Sequence, residues 1–101
     1  MVTANLDLPL DKIAQICRRY PVRRLSLFGS VLRDDFTPHS DVDMLVEFEP
    51  DSEVSLFGLV AMELDLTDLL SRRVDLNTAE CLSRYFRDEV VAEAEAIYVK
   101  A

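Results

Sequence analysis

Residues 25 to 48, LSLFGSVLRDDFTPHSDVDMLVEF, constrain this chain more than any other stretch. One apolar run closes on Gly29-Ser30, ten residues follow, and a second apolar run opens with Asp41 and Asp43. The pattern predicts a strand, a tight turn entering a short helix over 30–35, a loop, and a second strand. In that second strand Val42, Met44, Val46 and Phe48 alternate with Asp41, Asp43 and Glu47. One face therefore goes to a core and the other carries acids.

Alternate residues on one strand face lie about 6.5 to 7 Å apart, so Asp41 and Asp43 can converge on bound cations. Hard carboxylate oxygens suit Mg²⁺, which keeps several waters and completes its shell with substrate phosphates. A metal pair roughly 3.5 to 4 Å apart stabilises both the entering and the leaving oxygen of an in-line phosphoryl displacement. Asp-x-Asp alone is weak in a chain with eleven Asp. Gly29-Ser30 strengthens it, because glycine lets backbone approach a ligand closely and the N–H groups that follow, with the Ser30 hydroxyl, suit an anion. The plain alternative is a tight turn and an ordinary N-cap, yet the chain has only two glycines and one of them stands here.

The flanking segments read as support. Pro9 suits a first helical turn, Leu10, Ile13, Cys17 and Tyr20 recur at helical steps, and Pro21 stops that helix. Residues 23 to 28 form a first strand, and residues 55 to 70 form a helix apolar on most of its circumference, as one buried against a sheet would be. Arg72 and Arg73 sit where a helix C-terminus favours cations. VDLNT, residues 74 to 78, is a third strand, and from Ala79 the chain turns helical, with Val90, Ala94, Ile97 and Tyr98 lining one side of a closing helix. The expected order is α-β-α-β-α-β-α in a single domain spanning residues 1 to 101. Its length allows roughly 60 to 70% of the unfolded surface to be buried.

Composition narrows the partners. A net charge of −8 argues against a sequence-independent grip on nucleic acid, which needs a basic surface. It fits a basic protein partner, and equally a simple route to solubility. Cys17 and Cys81 have no metal or redox spacing and read as reduced, mostly packed thiols. Neither a leader nor a membrane-length apolar run is evident, so a cytoplasmic protein is expected.

GS, ten residues, then DVD inside an apolar strand resembles the signature of the nucleotidyltransferase superfamily that includes DNA polymerase β. The small size and the wording FGSVLR, SDVDMLVEF and RVDLNT resemble most the minimal nucleotidyltransferases, the MNT antitoxins paired with HEPN toxins, over residues 10 to 99. The resemblance implies an α/β (α+β) fold, a small mixed sheet backed by helices. It implies transfer of AMP from ATP, with two Mg²⁺ ions, to a hydroxyl of a HEPN-type ribonuclease toxin, tyrosine being the expected acceptor. It also maps triphosphate binding to Gly29 and Ser30, metal ligation to Asp41 and Asp43, and a third ligand that activates the acceptor to Asp75.

Asp75 also stands out by itself, as a strand acid between Val74 and Leu76, which would face the core. Arg33, three residues after Ser30, can reach a phosphate or pair with Asp34, Asp35 or a strand acid. His39 reads as a solvated loop residue, and Asp65 and Asp68 as the solvated face of the long helix. Two departures from the family pattern are Leu32, where alanine is common, and Asp34, whose charge would repel a triphosphate. Two other roles stay open: an antitoxin that acts by binding alone, and a transferase for a small, aminoglycoside-type acceptor.

Overall fold

The structure is a computed structural model that describes residues 6–33 and 36–100. A four-stranded mixed sheet organises it, in the spatial order β3-β2-β1-β4. In chain order the elements are α1 (Leu10–Arg18), β1 (Val22–Phe28), β2 (Val42–Phe48), α2 (Leu56–Leu70), β3 (Val74–Asn77), α3 (Arg87–Glu93) and β4 (Glu95–Val99). β1 runs antiparallel to both β2 and β4, whereas β2 and β3 are parallel and joined by α2 in a βαβ crossover. This is the small mixed sheet backed by helices that the sequence implies.

Strand parity decides the core. Leu25 and Leu27 of β1, Val42, Met44 and Val46 of β2, and Val74 and Leu76 of β3 all turn to one face and are buried. There they meet Ile13, Ile16 and Cys17 of α1 with Met62 and Leu66 of α2. The opposite face is covered only in part, by a small cluster of Phe28, Leu82 and Val90 with Leu45 and Ala94 packed on it.

The closing segment differs from expectation. α3 ends at Glu93, and Ile97 and Tyr98 lie on β4 rather than on a helix. Val90, Ala94, Ile97 and Tyr98 do keep helical spacing, but β1 would otherwise leave a row of backbone donors and acceptors open beside β2. The Ala-Ile-Tyr-Val run supplies residues that favour a strand, and β4 closes that edge with Leu25 opposite Tyr98 and Ser26 opposite Ala96.

α2 also departs from expectation. Its Ser55 hydroxyl caps the helix by accepting the Gly58 N–H at 3.2 Å, and Met62 and Leu66 are fully buried. Leu56, Phe57, Val60 and Leu64, however, are exposed, since the helix meets the sheet and α1 on one side only.

Two smaller expectations change as well. Cys17 is buried, and that burial pushes its thiol up to about 11, but Cys81 is exposed. Asp65 is not merely solvated: it accepts the Tyr20 hydroxyl at 2.7 Å and lies 3.8 Å from the Arg19 guanidinium, tying α1 to α2. Asp68 is exposed, as read.

Candidate active site

β1 delivers Gly29 to the end of the sheet with φ +76°, a backbone conformation that side chains resist. A Cβ at this position would collide with the Asp43 carboxylate. Both the turn and the close approach therefore require glycine. Ser30 follows, half-buried, and its carbonyl accepts the Arg33 N–H at 2.9 Å. The short helix expected over 30–35 is a single 3-10 turn, Gly29–Leu32, after which Arg33 is extended. So short a turn carries little macrodipole, and what it offers an anion is its local N–H groups and the Ser30 hydroxyl. Asp34 and Asp35 lie outside the described residues, and with them the expected Arg33 pairings to those acids and the repulsive Asp34 charge.

The acids come together across the sheet. Phe28 pairs with Asp43 between β1 and β2, and Asp43 pairs with Asp75 between β2 and β3, so the two carboxylates stand on adjacent strands about 4.8 Å apart at the backbone. Both point away from the core, since Val42, Met44, Val74 and Leu76 fill it. Asp41 lies just before β2, exposed, with its carboxylate 3.8 Å from the Arg73 guanidinium.

Charge registers this convergence. The Asp43 carboxyl is raised above the usual carboxylate range, first by burial, then by the negative charges of Asp75 and Asp41, with Arg33 opposing the rise. A divalent cation would relieve that repulsion, and an all-carboxylate oxygen set has the chemistry Mg²⁺ prefers. Among the described residues no three such side chains close into a metal cage by themselves. Asp43 and Asp75, in register on adjacent strands, are the pair that would hold Mg²⁺, with phosphates and water completing its shell. The residues present fit the ion.

Three supports were not legible as such. Glu63 of α2 accepts the Leu76 N–H at 2.8 Å and Thr67 accepts the Val74 N–H at 3.1 Å, so a helix fixes the edge strand on either side of Asp75. Arg72 lies 4.5 Å from the Phe36 ring centroid and donates to the Thr37 carbonyl at 2.8 Å, pinning the loop that leads to Asp41. Their only sequence signal is position: two arginines directly after the helix, and polar residues at i and i+4 on an apolar one. His39 is exposed in the same loop, as expected, and its N–H meets the Thr37 hydroxyl at 3.3 Å.

A model of the nucleotidyltransferase domain family matches residues 10–99. The chain belongs to this family. The protein adenylyltransferase MntA of Thermococcus cleftensis is 36% identical over 86 residues, covering 84% of this chain and 82% of that one. Among solved structures, a chain of a toxin-antitoxin crystallised with AMP-PNP superposes with a TM-score of 0.74 at 21% identity, over 92% of this chain and 75% of the other. A chain from the complex of tri-AMPylated Shewanella oneidensis HEPN toxin with MNT antitoxin superposes with a TM-score of 0.64 at 20% identity, over 90% and 70%. These solved chains share the mixed-sheet fold described above. No helix of the described residues is long and apolar enough to cross a membrane.

Proposed function

We propose that this chain is a protein adenylyltransferase antitoxin that moves AMP from ATP to a tyrosine hydroxyl of a HEPN-type toxin, in the cytoplasm, as one single-domain subunit of a complex with that toxin. The observation that carries the reading is Gly29 held against Asp43 with Asp75 in register beside it: a phosphate turn, a half-buried acid and a second acid in one row. The named activity of the 36% identical relative and the HEPN partner of the structural neighbour support the acceptor.

Gly29 and Ser30 hold the β- and γ-phosphates through the turn N–H groups and the Ser30 hydroxyl, and Arg33 adds charge-assisted hydrogen bonds. Asp41, Asp43 and Asp75 hold two Mg²⁺ ions, which supply neutralisation of the charge that builds on the phosphoryl oxygens. In this reading Asp75 accepts the acceptor hydroxyl's proton while that oxygen bonds to the α-phosphorus and the bond to pyrophosphate breaks. Asp43 is itself partly withdrawn from water beside Gly29 and Phe28, which strengthens the interactions of its own charge.

Mass spectrometry of the HEPN-type partner after incubation with this chain, ATP and Mg²⁺ tests the proposal. Tyrosine-linked AMP is expected with wild type and absent with Asp75→Asn. Unmodified partner from an active, correctly paired preparation would reject it. If Asp75→Asn still neutralised the toxin, neutralisation would rest on binding alone.

A further inference from the structure

A groove of about 440 Å³ opens on the sheet face that carries Asp43 and Asp75. Ser26, Leu45 and Ala96 form its floor, adjacent on three neighbouring strands, while Val91 and Ala94 wall one side and Thr78 the other. Leu45 lies two residues from Asp43 on the same strand face, so the groove begins about 7 Å from that acid. Ser26 is 4% exposed and is the one buried polar residue among those described. At the far end Arg24 stands opposite Glu47, and Glu80 joins them in the lining, so the mouth carries two acids and one base.

Direction along the sheet assigns the occupant. Read back along β1, the row is Gly29 at the phosphate turn, Phe28 paired with Asp43, and Ser26 in the groove. An in-line displacement admits the incoming oxygen on the side of phosphorus opposite the departing pyrophosphate. With pyrophosphate leaving over Gly29 and Ser30 and the α-phosphorus over the acids, the entering side is the groove.

Resting on the adenylyltransferase reading, we propose that this groove seats the acceptor side chain, a tyrosine whose ring lies on Leu45 and Ala96 with its hydroxyl directed to Asp75. Leu45, Ala96, Val91 and Ala94 give it an apolar surface that takes an aromatic ring, and its charged residues stand away from that surface at the mouth. The nucleoside of ATP leaves the α-phosphorus to one side of the in-line axis and does not enter.

The full chain, isotope-labelled and loaded with Mg²⁺ and AMP-PNP, is titrated with N-acetyl-tyrosinamide and followed by amide NMR. Saturable shifts at Ser26, Leu45 and Ala96 are expected, with N-acetyl-phenylalaninamide binding about tenfold more weakly because it leaves polar groups unpaired. Ala96→Trp fills the floor from an exposed strand position; it should remove the tyrosinamide response, change AMP-PNP affinity by less than about twofold, and cut kcat/KM for the protein acceptor about tenfold or more. No response at these amides, the same response to AMP-PNP alone, or undiminished transfer by Ala96→Trp would each overturn the assignment. Tyrosinamide binding without AMP transfer to any partner would instead reject the adenylyltransferase reading and leave the groove as an aromatic site.

Discussion

Gly29 and Asp43 form a single unit. The glycine's positive φ and the carboxylate packed on it leave no room for a methyl group, so Gly29→Ala should lower stability by about 1 to 3 kcal/mol in a thermal melt. It should also remove AMP-PNP binding by displacing Asp43. Asp43→Asn acts in opposite directions on stability and function. The folded-state carboxyl is raised from 3.8, so the folded protein holds its proton more tightly than the unfolded chain does. Its favourable contribution is full below pH 3.8 and is lost as pH rises through the raised value; at neutral pH the ionised group weakens the fold. In EDTA, Asp43→Asn should therefore melt higher than wild type at pH 7, with the gap narrowing on acidification. AMP transfer should fall at least about 100-fold, as when a transition-state charge stabiliser is lost. An unchanged or lowered melting point at pH 7 would contradict the crowding of acids described here.

At the scale of elements, α2 holds β3 and thereby Asp75. Glu63→Ala should strand the Leu76 N–H at a part-buried edge, cost about 1 to 3 kcal/mol, and lower kcat more than nucleotide affinity. Glu63→Gln keeps an acceptor and should recover most of both. Leu66→Ala, emptying a fully buried site, should cost about 2 to 5 kcal/mol without that selectivity. The elements also show what a sequence can reveal. β2 was readable because one strand carries its own two-residue alternation, and Gly29-Ser30 because the chain is poor in glycine. β4 was not, because Ala94, Ile97 and Tyr98 satisfy a helical period as well as a strand, and only the open edge of β1 decides between them. Glu63 and Arg72 were hidden for a similar reason: their partners, Leu76 and Thr37, lie 13 and 35 residues away, on elements whose placement no local pattern gives.

For the molecule as a whole, charge and the divided sheet act together. α1 and α2 take one face of the sheet and α3 covers only part of the other, leaving the acids and the groove there, so a protein acceptor must approach the face from which Asp43 and Asp75 project. With a net charge of −8, the field around that approach favours a basic partner. Electrostatic steering raises the association rate far more than it slows dissociation, and salt screens it over a Debye length of about 8 Å at physiological ionic strength. Stopped-flow association with the HEPN-type partner should therefore slow about tenfold or more between roughly 20 and 300 mM salt, while the dissociation rate changes little. Pairing Glu47→Lys with Glu80→Lys, at the mouth of the groove, should flatten that salt dependence without altering AMP-PNP affinity. If association proved indifferent to salt, the acidic surface would serve solubility alone, and the apolar groove would have to carry partner selection by shape.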